Sequence, residues 1–143
     1  MYASLDQESP RWGMPPYDRQ RIERWTSNLE NAIILVGTDE DRIVGHLQVS
    51  IAANSRFRGI GELFIYLHQG YQNIGLGRAL MQEGISMARD RGLHRIELTV
   101  VADNLRGIRL YENVGFQREG LKRENYFGED GRYHDEVIMG ILL

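Results

Sequence analysis

The run Gln72-Asn73-Ile74-Gly75-Leu76-Gly77-Arg78 directly follows an apolar, strand-like stretch (residues 63–67) and opens a stretch of helical character. That placement constrains the fold more than any other feature of the chain. Glycines at 75 and 77 allow a tight turn and bring bare backbone N–H groups close to a ligand. A helix starting there adds the positive end of its dipole, so the site suits an anion, most simply a phosphate. A Walker loop would need Lys-Ser or Lys-Thr after Gly75, and the dinucleotide fingerprint would need glycine where Leu80 stands. Neither is present. What remains is a Q-x-x-G-x-G loop between a strand and a helix.

Composition bounds the rest. The chain has 143 residues, 42% of them hydrophobic and 26% charged, which predicts one compact globular domain over residues 1–143. A net charge of −3 argues against a nucleic-acid partner. The absence of cysteine excludes disulfides, thiolate metal sites and a cysteine nucleophile. His46, His68, His94 and His134 show no ligand spacing, so no metal is expected. No apolar run approaches the roughly 18 residues that span a bilayer, and no signal-peptide pattern opens the chain. A cytoplasmic protein with no membrane partner is the expectation.

Periodicity gives the element order. Residues 1–16 are irregular, and Pro16 suits the first turn of a helix through Arg21, Ile22, Trp25 and Leu29. Strands are predicted at 32–37 and 43–51, then a polar loop at 52–60 and a central strand near 61–68. The glycine loop leads into a helix reaching Arg91, with Gly92 as its stop. A strand at 96–101 follows, then a helix capped by Asp103-Asn104 that passes through Tyr111 and ends near Gly115. Strands at 117–126 and 133–142 flank the turn at 128–131. The class is α/β (α+β), with a mixed sheet.

Two motifs in this order resemble the GNAT superfamily of acyl-coenzyme A-dependent N-acetyltransferases. The first is (Q/R)-x-x-G-x-(G/A), carried by Gln72, Gly75 and Gly77. The second is N-x-x-A-x-x-L-Y-x-x-x-G-F, carried by Asn104, Leu110, Tyr111, Gly115 and Phe116, with Gly107 in place of the alanine. Residues 61–67 and 131–135 look most like the branch of phosphinothricin-, amino-acid- and spermidine-type acetyltransferases. The resemblance implies a mostly antiparallel sheet flanked by helices, with two strands splayed at the coenzyme site. It also implies acetyl-CoA as cosubstrate. The chain reaches its 32–37 strand earlier than that family does. Either the first strand is missing, the first elements are shortened, or the chain is an N-terminally abbreviated form. A missing strand would leave a sheet edge exposed or covered by a partner chain, as in a homodimer.

Carried over by position, the resemblance places Gln72 among the coenzyme-binding residues and assigns the pyrophosphate to backbone amides of Asn73, Ile74, Gly75, Leu76, Gly77 and Arg78. The pantetheine arm falls to strand backbone at Ile65, Tyr66 and Leu67 and to the Asn104 amide. Tyr111 corresponds to the acid that protonates the departing thiolate. The acceptor is a primary amine of a small molecule or peptide, attacking directly in a ternary complex. A lysine-like amine with a pKa of ~10.4 needs about 4.6 kcal/mol to present its free base at neutral pH. A carboxylate, directly or through water, relieves part of this. Glu62 matches the branch's base, and its face, shared with Phe64 and Tyr66, predicts an apolar setting. Glu97 is the second choice, on a face with Thr99 and Val101. His134 and Asp135 either orient the acceptor or form an edge-strand ion pair. Trp12 is a candidate for the acceptor pocket. The alternatives are a non-catalytic coenzyme A sensor, or transfer of another acyl group.

Overall fold

The computed structural model describes residues 29–143 together with Gln20, Glu23, Arg24 and Ser27. Among these, the chain runs β1 (Ala32–Asp39), β2 (Arg42–Ile51), β3 (Ile60–Leu67), α1 (Leu76–Asp90), β4 (Arg95–Val101), α2 (Leu105–Asn113), β5 (Gln117–Phe127) and β6 (Tyr133–Leu142). Every strand predicted from periodicity is present, and β1 extends beyond Gly37 to Asp39. The loop predicted at 52–60 contains a 3₁₀ turn at Ser55–Phe57. Leu29 begins another 3₁₀ turn, Leu29–Asn31. Arg21, Ile22, Trp25, Trp12 and any shortened first strand lie outside the described residues.

The sheet order is β1-β2-β3-β4-β6-β5. All neighbours are antiparallel except β3 and β4, which run parallel. A parallel join needs a crossover, and α1 supplies it. This is the mixed, mostly antiparallel sheet that the sequence predicts.

Alternation along the strands divides their side chains between two faces. Ile33, Leu47, Val49, Leu63, Ile96, Leu98, Val100, Val137 and Met139 lie on one face and form a single apolar cluster. Helix α1 completes it with Leu80, Met81, Ile85 and Ala88, the stripe expected of a helix packed on one side. Ile108 of α2 and Phe116 join the same cluster. Each fully buried large side chain there contributes about 1.5–3 kcal/mol. Among the described residues, both α-helices therefore cover one face. On the other face Val44, His46, Tyr66 and Val101 are buried, and Glu62, Glu97 and Thr99 stand beside them. Burial pushes His46 below its ordinary value, so it is neutral at pH 7.

Candidate active site

The two middle strands form a fork. β3 and β4 pair only at Ile60↔Arg95, Gly61↔Ile96 and Glu62↔Glu97. Beyond that rung β3 continues to Leu67, bound to β2, and β4 continues to Val101, bound to β6. The gap opens between Ile65–Leu67 and the second half of β4, the splay that the resemblance implies. The polypeptide leaving each prong carries one of the two motifs.

At the end of β3 the chain turns into α1 through Gly75, whose φ of 90° and ψ of −8° are left-handed. A Cβ there would meet nothing within 4 Å, so this glycine is needed for its backbone angles alone. Gly77 is the opposite case. Its Cβ would lie 2.9 Å from Leu67 Cδ1 and 3.1 Å from Leu110 Cδ2, so glycine lets the start of α1 sit against both β3 and α2. No side chain caps α1, which leaves its first amides for an incoming acceptor. Asn73 has a φ of 63°, and Asn73, Ile74 and Arg78 are exposed around this turn.

Gln72 does not reach the turn's open side. Its Nε2 donates to the Leu67 carbonyl at 3.3 Å, and its Oε1 accepts from Arg106 of α2. One amide thus ties the end of β3, the glycine loop and α2 together. Tyr71 adds a second tie by donating its hydroxyl to Asp39 at the end of β1. The sequence offered no signal for Arg106; its partner is 34 residues away.

Asn104 caps α2, its Oδ1 accepting from the Gly107 N–H at 3.0 Å. This leaves its amide nitrogen as the group able to serve a ligand. Tyr111, on the same helix, packs against the core at a ring distance of 6.1 Å from Phe116. Burial pushes its hydroxyl up to about 12, so it holds its proton throughout the neutral range. The hydroxyl has no hydrogen-bond partner among the described residues, nor is it sealed from solvent.

Glu62 and Glu97 share the last rung of the fork and project to the face away from α1 and α2. Glu62 is exposed rather than in the apolar setting expected of it, because at the strand's paired end water reaches it. It has no ion-pair or hydrogen-bond partner among the described residues. Glu97 differs. Arg95 donates to it at 3.0 Å and grips Glu119 of β5 with both guanidinium arms, at 3.1 and 2.7 Å. That grip holds the Glu119 carboxyl below its ordinary range. Gly140 makes room for it: a Cβ there would lie 2.5 Å from Glu119 Oε1.

His134 and Asp135 do not pair with each other, because adjacent strand residues point to opposite faces. His134 contacts Asp103 and Asp130. Asp135 instead accepts the Glu124 N–H at 2.8 Å, holding an irregular stretch of β5 between Lys122 and Tyr126. No cluster of His, Asp or Glu suited to a metal occurs among the described residues. An open cavity of about 730 Å³ lies at the far end of β3 and β4, lined by Arg58, Arg91, His94 and neighbours, remote from both motifs.

The chain matches the family profile described as Acetyltransferase (GNAT) family over residues 1–116. It is 35% identical over 107 residues to the L-amino acid N-acetyltransferase AaaT of Escherichia coli (strain K12), covering 73% of this chain and 65% of that protein. Over 73 residues it is 41% identical to the ribosomal protein bS18-alanine N-acetyltransferase of the same strain, 51% of this chain and 49% of that one. The chain thus spans about half to two thirds of the length of these relatives. An acetyltransferase of Salmonella typhimurium, solved with its cofactor acetyl-CoA, superposes with a TM-score of 0.81 at 26% identity, over 92% of this chain and 78% of that one. Among the described residues no helix is long and apolar enough to cross a membrane. With the fork, the glycine loop and the profile match together, the chain belongs to the GNAT acetyltransferase family.

Proposed function

We propose that residues 1–143 form one N-acetyltransferase domain that moves an acetyl group from acetyl-CoA to a primary amine by direct attack in a ternary complex. The observation that carries this reading is the fork itself, with a carboxylate that has no partner among the described residues on one face and a protonated phenol on the other. The uncapped start of α1, with open space above Gly75, suits the pyrophosphate. Amides of residues 73–78 bind it, and Arg78 adds charge. Strand backbone at Ile65–Leu67 and the amide nitrogen of Asn104 hold the pantetheine arm in the gap.

Glu62 takes the proton of the incoming ammonium, directly or through water. Glu97 is the second choice because Arg95 already holds its carboxylate. The amine nitrogen then bonds to the thioester carbon, and the carbon–sulfur bond breaks. Tyr111 supplies the proton to the departing sulfur from the opposite face. The second proton that the nitrogen sheds on becoming an amide goes, directly or through water, to the phenolate and restores the phenol. With no cysteine in the chain, no acyl-enzyme on sulfur intervenes.

The names of the relatives make a free amino acid or an N-terminal alanine the first acceptors to try. A cytoplasmic setting goes with a donor made inside cells. Self-association through β1, one of the two edge strands among the described residues, is part of the proposal, and a concentration-independent monomer mass would count against it. Thiol release from acetyl-CoA across amino acids, alanine-terminated peptides and polyamines tests the function. Release with one amine class supports it. Coenzyme binding without release for any amine replaces it with a coenzyme sensor.

A further inference from the structure

His134 has a carboxylate on each ring nitrogen. Nδ1 lies 2.7 Å from Asp103 Oδ2, and Nε2 lies 2.9 and 3.0 Å from the two oxygens of Asp130. Asp103 is in the short link between β4 and α2, immediately before the cap Asn104. Asp130 is in the turn between β5 and β6, where its Oδ1 also accepts the Arg132 N–H at 3.2 Å. The ring therefore joins two loops that nothing in the local sequence brings together.

The slot is shaped for this pair. Gly128 is buried, and a Cβ there would lie 2.7 Å from Asp130 Oδ1 and 2.8 Å from His134 Nε2. Tyr126 meets the imidazole edge-on with ring centroids 6.5 Å apart. Only 13% of the His134 side chain is exposed.

A neutral imidazole has one N–H, and two carboxylates call for two. The imidazolium satisfies both; the neutral ring leaves one carboxylate facing a lone pair. Among the described residues, the charged and titratable groups around it include Asp103 from the β4–α2 link, Asp130 and Arg132 from the turn, and Tyr126 from β5. The carboxylates dominate. Hydrogen bonds from the ring to Asp130, then Asp103, hold His134 above its ordinary 6.5.

We propose that protonated His134 is a positioning residue of this site, clamping the β5–β6 turn to the β4–α2 link and thereby fixing Asn104 and the helix that carries Tyr111. The roles of Asn104 and Tyr111 rest on the acetyltransferase reading; the clamp itself does not. Because the folded-state value is raised, the clamp is complete below 6.5 and is lost as pH rises through that raised value.

Two measurements test it on the intact chain. An NMR titration of the imidazole reads the clamp, and calorimetry with coenzyme A from about pH 6, below the ordinary imidazole value, upward through the measured titration reads its consequence. Wild type is expected to lose about fivefold in coenzyme A affinity over that range, as one charge-assisted contact is released. His134→Gln keeps one donor and is expected to bind at the weaker level throughout, with a flat profile. Asp130→Asn, which leaves the Asp103 contact, should lower the His134 titration and shrink the pH effect, and it serves if His134→Gln does not fold. Parallel profiles in wild type and variant overturn the proposal, as does an imidazole that titrates at or below its ordinary value. Coenzyme A binding with the expected profile but no acetyl transfer would leave the clamp standing and remove only the transfer reading. Failure of folded wild type to bind coenzyme A would remove the acetyltransferase reading and with it the roles of Asn104 and Tyr111, and the imidazole titration would then decide the clamp alone.

Discussion

Glu62 and Glu97 are partners on the last rung between β3 and β4, and among the described residues only Glu97 has its carboxylate taken by an arginine. The strands part immediately beyond them. If the free carboxylate is the base, Glu62→Gln should lower kcat/KM for the amine by about 10²-fold, the usual scale for a positioned proton acceptor. Glu97→Gln should cost less than about tenfold, since it removes an exposed ion pair of small worth. Steady-state thiol release at fixed pH compares the two. An equal loss in both would assign the base to neither residue alone.

Tyr111 is protonated well beyond neutral pH, which is what an acid for a thiolate needs. Tyr111→Phe should reduce kcat by about 10²-fold and leave acetyl-CoA affinity within about twofold. The same burial has a second consequence for stability. A folded-state value raised from 10.0 to about 12 contributes stability below pH 10 that is lost as pH rises through that window. Urea midpoints should therefore fall more steeply in wild type than in Tyr111→Phe between those two values. Parallel midpoints would place the ring in water.

The two loop glycines should fail differently. Gly75→Ala meets no atoms but must hold a φ of 90°, so it should cost about 1–2 kcal/mol and weaken coenzyme binding. Gly77→Ala pushes on Leu67 and Leu110 at 2.9 and 3.1 Å, so it should separate α1 from α2 and cost about 1–3 kcal/mol. Chemical denaturation with and without acetyl-CoA measures both. A Gly75→Ala protein with unchanged stability and affinity would remove the strained turn from the account.

Gln72 ties the end of β3 to α2. Gln72→Ala should loosen the loop from Leu67 and Arg106, costing about 1 kcal/mol of stability. Arg106→Ala should reproduce part of that cost, and the pair should be non-additive in a double-mutant cycle. Strict additivity would mean that the contact contributes nothing.

The features legible in the sequence were the local ones. Alternation marked the six strands, Gly92 marked the end of α1, and Gly75 and Gly77 marked the loop, because each rests on neighbouring residues. The site's supporting contacts were not legible. His134 reaches Asp103 across 31 residues, Gln72 reaches Arg106 across 34 and Arg95 reaches Glu119 across 24. Such pairs exist only once the sheet order places β6 beside β4 and α2 beside the loop. The adjacency of His134 and Asp135 misled for the same reason, since neighbours in a strand face opposite ways. Arg95 and Glu97, two apart on one strand, were the one supporting pair that alternation could have revealed.

The central claim is that the fork between β3 and β4 holds the coenzyme, and backbone amide NMR on adding coenzyme A tests it without any knowledge of the acceptor. The account predicts the largest shifts together at residues 73–78, at Ile65–Leu67 and at Asn104, with Arg58, Arg91 and His94 undisturbed. Shifts centred on the cavity at Arg58, Arg91 and His94, with the loop after Gln72 unmoved, would contradict it.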